Sequence, residues 1–210
     1  MYSRLIENLS RRLTQALPSA LAHDPLRAIP IGNVTPKFAH QQPPKPGSVL
    51  ILLYEEGGRI KFPLTKRPIY NGAHSGQISL PGGKAENGED TIATALREAE
   101  EEIGISASAV KVIGRLSEFY VIPSNFLVTP VVAAHTGTPH FIPDPHEVER
   151  IIKADVYDLI KPDAILTTEI LAAGHYRMQA PHFNIEQEIV WGATAMMLNE
   201  FRLVLQELGL

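Results

Sequence analysis

Residues 83–105 read GKAENGEDTIATALREAEEEIGI, and the fold follows from how this stretch divides into turn, helix and stop. Asn87, Gly88, Glu89 and Asp90 make a polar, turn-prone opening, with acids where the positive end of a helix dipole stabilises them. Gly104 follows the last periodic residue, a position where a left-handed closing residue is usual. Between these signals Ile92, Leu96, Ala99 and Ile103 recur at spacings of four, three and four, which predicts one apolar helical stripe. Glu98, Glu101 and Glu102 stand three and four apart on the same helix. At roughly 100° per residue their centre falls more than about 120° from the apolar one. The helix is expected to bury one face and display carboxylates on the other.

Carboxylates at this spacing repel by up to about a few tenths of a kcal/mol per exposed pair. A divalent cation reverses that sign, and Mg2+ is commonly held by carboxylates with water and substrate phosphates completing its shell. Taken alone, EAEEE also fits a solvated acidic face. The frame of Gly83, Glu89, Arg97 and Gly104 around it separates the two readings. Frame and glutamates together resemble the signature of the Nudix hydrolases, which cleave pyrophosphate bonds in nucleoside diphosphates linked to another group. The resemblance implies an α/β fold, the Nudix α/β/α sandwich with a mixed β-sheet between helices. It implies that Glu98, Glu101 and Glu102 hold Mg2+ or Mn2+, with Glu98 and Glu102 as principal ligands and the Gly83 carbonyl as a further oxygen. Arg97 would pair with Glu89 to fix the loop against the helix, while Gly82 and Gly83 let the backbone approach metal and phosphate. Ala99 departs from the pattern, standing where a larger aliphatic residue is common.

Upstream, residues 64–83 read LTKRPIYNGAHSGQISLPGG. The run Leu64, Thr65, Lys66, Arg67, then His74, Gly76 and Pro81-Gly82-Gly83, resembles the additional signature of the coenzyme A pyrophosphatase branch of that family. Pro68, Asn71-Gly72, Leu80 and Glu86 depart from it, where a serine, a Leu-Arg pair, an aromatic residue and an aspartate are expected. The arginine missing at Gly72 matters most among these, as a residue able to supply a phosphate contact. The implied reaction cleaves coenzyme A or its derivatives to 3′,5′-ADP and 4′-phosphopantetheine, with metal ions on the glutamates neutralising charge and activating water. A polyanion meeting a chain of formal charge −4 needs local cations. Lys66 and Arg67, at the end of an expected strand, are the candidates, Arg67 in bidentate fashion. His74 either shapes the nucleotide pocket or hydrogen-bonds across a strand start. For the general base the candidates are Glu98 and, within DPHEVERI, Glu147 and Glu149; Glu147 is preferred, against an ordinary charged strand start. ADP-ribose, NADH and dinucleoside polyphosphates are rival substrates that would use the same helix. A noncatalytic nucleotide or coenzyme A sensor is the rival outside enzymes, disfavoured because every glutamate of the motif is kept.

The composition agrees with this reading. A chain of 210 residues that is 44% hydrophobic suffices for one domain with an appended element. A pI near 6.1 weighs against nonspecific nucleic-acid binding. The absence of cysteine excludes disulfides, zinc–thiolate sites and cysteine nucleophiles, and a cytoplasmic setting is expected. No apolar run approaches the roughly 18 residues of a membrane helix, so no membrane partner is expected. Residues 1–21 carry Arg4, Arg11 and Arg12 with Leu9, Leu13, Leu17 and Leu21 at fourfold spacing. Glu7 and the lack of a long apolar centre favour a docked amphipathic helix over a targeting peptide.

Pro25, Pro30, Pro36, Pro43, Pro44 and Pro46 then forbid regular helix. This arm, through residue 47, either wraps the domain, reaches a second copy in a homodimer, or links passively. The Nudix domain is expected over residues 48–210. Residues 48–54 and 59–66 flank Glu-Glu-Gly-Gly as a hairpin. Further strands are expected at 77–80, 110–119, 127–134, 149–156, 165–171 and 176–183, with a polar loop at 136–146. An amphipathic helix at 193–207 closes the chain. Trp191 and Tyr120 are read as packing residues.

Overall fold

The computed structural model describes residues 2–32, 37–69, 75–174 and 176–210. Its order opens with α1 (Tyr2–Arg12), α2 (Ala20–His23), β1 (Ile29–Pro30), β2 (Lys45–Glu56) and β3 (Arg59–Lys66). There follow β4 (Ile78–Ser79), β5 (Gly82–Lys84), α3 (Thr91–Ile103), β6 (Val110–Arg115), β7 (Phe119–Val121) and β8 (Phe126–His135). The chain ends with β9 (Arg150–Asp155), α4 (Val156–Ile160), β10 (Ile165–Ala172), β11 (Tyr176–Ile185), β12 (Glu188–Trp191) and α5 (Gly192–Glu207).

The strand β2 explains the architecture. Leu50, Ile51, Leu52, Leu53 and Tyr54 form an unbroken apolar run, and all five are fully buried, as a strand covered on both faces requires. Alternate side chains enter two different cores. Ile51 and Leu53, with Val132 and Ala134 of β8, meet Leu5, Ile6 and Leu9 of α1 and Phe201, Val204 and Leu205 of α5. Leu50 and Leu52, with Val131 and Ala133, meet Ala95, Ala99 and Ile103 of α3. The sheet therefore lies between helices, and the expected α/β/α sandwich is the observed fold.

The sheet is mixed, again as expected. β2 runs parallel to β8 from Lys45↔Phe126 to Leu53↔Ala134. It pairs antiparallel with β5 at Gly47–Val49 and with β3 at Tyr54–Glu56. The antiparallel strands β6 and β7 attach to β8, and β4 and β9 attach to β3. In a second, antiparallel sheet β11 pairs with β1, β10 and β12. The β2–β3 turn holds Gly57 and Gly58 at φ 61° and 74°, the mirror-image two-residue turn that twisted strands favour.

Two expectations are corrected. The fourfold leucine repeat of residues 1–21 is not one helix: α1 stops at Arg12, Pro18 precedes the new turn at α2, and Leu21 is 84% exposed. The strand expected over 110–119 is two strands, with a register shift between Val112 and Gly114. At that bulge Gly114 admits Leu13, just beyond α1, because a Cβ there would lie 2.8 Å from the Leu13 Cβ. The described parts of the proline-rich arm contact the rest of the chain: β1 pairs with β11, and the Asn125 side-chain amide donates to the carbonyls of Gln42 and Pro43. Among the described residues, no helix is long and apolar enough to cross a membrane.

Candidate active site

The helix α3 begins and ends as its sequence dictates. The Asp90 carboxylate accepts from the backbone N–H groups of Ile92 and Ala93 at 2.9 and 2.8 Å. Gly104 closes the helix in the left-handed region at φ 69°, with the Ile105 N–H reaching back to the Ala99 carbonyl. Its buried face differs from the expected one. Ala95, Ala99 and Ile103 are fully buried, while Ile92 and Leu96 pack half-buried at the flanks. Glu102 is also buried, at 3% exposure, and does not stand opposite the apolar stripe. It lies seven residues beyond Ala95, close to two full turns, so the two share a direction. The small alanines bring the helix down onto the sheet at that point.

Glu102 meets the glycine pair. Its Oε2 accepts from the Gly82 N–H at 3.1 Å. Burial pushes its pKa up to about 7, opposed by that N–H and by the Arg67 charge and reinforced by Glu147 and Glu98. Glu98 seats its carboxylate directly against Gly83: a Cβ on Gly83 would lie 2.5 Å from Glu98 Oε1. Burial raises the Glu98 pKa; Arg97 opposes this, with Nη1 at 3.0 Å, and the charges of Glu101 and Glu147 add to it. Glu147 thus acts electrostatically on both glutamates, although it lies 49 and 45 residues beyond Glu98 and Glu102 in the chain. The loop carrying Glu147 hangs from the end of α3, where the Ile142 and Asp144 N–H groups donate to the Ile103 and Glu102 carbonyls, each at 3.0 Å. Those are carbonyls a helix terminus leaves without internal partners.

Arg97 fixes the loop before α3. Its Nε and Nη2 bind the two Glu89 oxygens at 2.7 and 3.1 Å, and Nη2 also donates to the Lys84 carbonyl at 3.0 Å. Glu89 accepts further from the Glu86 N–H and the Thr94 hydroxyl. The Arg97 bond foremost, with these donors, holds the Glu89 pKa down at about 2. The same guanidinium reaches Glu101 Oε2 at 2.8 Å, and the Glu101 side chain is 58% exposed. Glu98 and Glu102 therefore face the glycines, while Glu101 stands at the rim in an ion pair.

The expected substrate cations divide. Arg67 lies near enough to Glu102 to lower its pKa, and its N–H donates to the Gln77 carbonyl. Lys66 is occupied elsewhere: its Nζ donates to Glu188 Oε1 at 2.9 Å, with Glu149 at 3.9 Å. The sequence carries no local signal for Glu188, which lies 122 positions away. Gly82 holds φ 149°, and a Cβ there would collide with the Ser48 carbonyl and lie 2.6 Å from the Val49 Cα. His74, like Asn71 and Gly72, lies outside the described residues. Ser48 was not singled out by its sequence context. It pairs with Gly83 across β2 and β5, is 1% exposed, and its Oγ has no hydrogen-bond partner among the described residues. By strand alternation it shares a face with Leu50 and Leu52, the α3 side of the sheet.

A NUDIX domain model matches residues 44–176, more than half of the chain. The chain belongs to the Nudix family. Among curated relatives, "Nudix hydrolase 22, chloroplastic" of Arabidopsis thaliana is 37% identical over 165 residues, covering 74% of this chain and 53% of that protein. "Nudix hydrolase 3" of Caenorhabditis elegans is 32% identical over 169 residues, covering 73% and 70%. The chain thus spans about half the length of the Arabidopsis relative. A MutT/nudix family protein from Enterococcus faecalis shares the fold at TM-score 0.51 and 15% identity, covering 95% of this chain and 73% of that one.

Nudix hydrolases generally use divalent ions, and the residues here fit one. Among the described residues, no three His, Cys, Asp or Glu side chains already converge as a metal cage. The donor set is nevertheless hard oxygen: two inward carboxylates whose pKa burial raises, a glycine whose missing side chain makes room for Glu98, and the Ser48 hydroxyl, without a hydrogen-bond partner among the described residues.

Proposed function

We propose that the chain hydrolyses the pyrophosphate bond of coenzyme A or its derivatives to 3′,5′-ADP and 4′-phosphopantetheine. One observation carries this reading: in the segment resembling the coenzyme A signature, Arg67 is near enough to the buried Glu102 for its charge to lower that group's pKa. Glu98, Glu102 and the Gly83 carbonyl, with Glu101 at the rim, would hold Mg2+ or Mn2+; bound there, the ion neutralises phosphate charge and lowers the pKa of a coordinated water. Arg67 binds a phosphate oxygen and orients the diphosphate over α3. Glu147, exposed on its tethered loop and near both inward glutamates, takes the proton from the attacking water. Gly82 and Gly83 keep the floor free of side chains, so the diphosphate approaches the backbone.

A second reading, hydrolysis of ADP-ribose, NADH or a dinucleoside polyphosphate, is favoured by one observation: Asn71-Gly72 replaces the Leu-Arg pair of the coenzyme A pattern. The two are separated by incubating purified protein with Mg2+ or Mn2+ and each of these compounds. Release of 3′,5′-ADP and 4′-phosphopantetheine from coenzyme A is expected. Hydrolysis of ADP-ribose without hydrolysis of coenzyme A overturns the substrate assignment.

A further inference from the structure

A cavity of about 520 Å3 opens between β4 and the second sheet, within the size range of small-molecule sites. Ile170, Leu171, Ile189 and Trp191 supply its apolar wall, and Gln77 and Gln187 line it with carboxamides. Its single carboxylate among the described lining residues, Glu188, is already engaged. Glu188 Oε1 accepts from Lys66 Nζ at 2.9 Å and from Arg150 Nη2 at 2.8 Å. Lys66 also lies 3.9 Å from Glu149, and Arg150 lies 3.9 Å from Glu186. Two cations set against three carboxylates leave no surplus positive charge around Glu188. A phosphate gains no electrostatic attraction there, and an uncharged chain needs none.

The cavity is joined to the glutamates by the chain itself. Ile78 lines it, and Gly82, four residues on, donates to Glu102. At strand rise that is a path of about 13 Å.

We propose that this cavity seats the uncharged, amide-bearing arm of the substrate, the pantetheine portion of coenzyme A, while the diphosphate lies at α3. The inference rests on the coenzyme A reading and deepens it. The methylene segments of the arm cover Trp191, Ile189 and Leu171, and its two amides pair with Gln77 and Gln187. ADP-ribose offers neither amides nor an aliphatic chain at the same distance from its diphosphate.

Trp191 is the only tryptophan of the chain, so its fluorescence reports on the cavity alone. With divalent ions chelated to prevent turnover, pantetheine and coenzyme A are expected to change its emission saturably, and 3′,5′-ADP to leave it unaltered. A response to 3′,5′-ADP without one to pantetheine overturns the assignment, as does silence toward all three in a preparation that turns over coenzyme A. In the metal-loaded protein, Leu171→Asp is expected to raise the KM for coenzyme A at least tenfold, beyond any change in kcat. Ile189→Ala, a milder trimming of a 42% exposed side chain, is expected to raise it about threefold while thermal melting confirms folding. Unchanged KM in both folded variants overturns the proposal. A preparation that hydrolyses ADP-ribose but not coenzyme A fails the functional reading instead, and the pantetheine titration then decides the cavity separately.

Discussion

Glu102 differs from its neighbours because the fold takes it furthest out of water, and its pKa near 7 records the cost of ionising it there. A carboxamide at this position still accepts the Gly82 N–H, so Glu102→Gln is expected to lower kcat at least about 100-fold while the melting temperature stays within a few degrees. Glu101→Gln, altering an exposed ion pair, should cost less than about tenfold; steady-state kinetics of the two variants orders them. Gly83 is fixed by sterics as well as by backbone chemistry. Gly83→Ala places a methyl 2.5–2.6 Å from the Glu98 carboxylate, which must swing away. A destabilisation of about 1–3 kcal/mol by denaturant unfolding, with loss of activity, is the expected outcome.

The element α3 owes its position to its two ends. Asp90→Ala removes the acceptor for two N–H groups and should lower stability by about 1 kcal/mol in chemical denaturation. Arg97 and Glu89 lock the loop ahead of the helix. The Glu89 pKa falls from 4.5 to about 2 on folding, so the pair's stabilisation is complete above about pH 4.5 and is lost as pH falls towards 2. Arg97→Ala is expected to abolish that part of the acid dependence, measured as unfolding free energy between pH 2 and 7. Arg97→Lys should not restore it, because an ammonium cannot match two Glu89 oxygens and the Lys84 carbonyl in one plane.

Across the whole molecule, one sheet separates two tasks. Its α3 face carries the site, and its opposite face carries the larger core, to which the N-terminal segment contributes. Leu9 is fully buried there, and Leu9→Ala should destabilise the protein by about 2–5 kcal/mol in denaturant titration. The same segment is held by a buried carboxylate. Glu200 accepts from the Ser19 N–H at 2.8 Å, the Ser117 N–H at 3.1 Å and hydroxyl at 2.6 Å, with His23 at 3.3 Å. Burial alone would raise its pKa, but these donors outweigh it and hold the group below its usual value. The network joins α2, the β6–β7 connection and α5 at a point remote in sequence from all the motif glutamates.

The sequence by itself determined what neighbouring residues settle: the caps of α3 and the two-glycine hairpin, where periodicity and φ preference act directly. Its resemblance to the Nudix signature, rather than spacing, supplied the Arg97–Glu89 pair and the α/β sandwich. Tertiary structure decided what depends on strand register and on which face of α3 meets the sheet. It buried Glu102 with the alanines, left Glu101 at the rim, paired Lys66 with Glu188, set Ser48 beside Gly83 and hung the Glu147 loop from the helix end. Those outcomes turn on groups up to 122 residues apart, and no short-range pattern in the chain encodes their meeting.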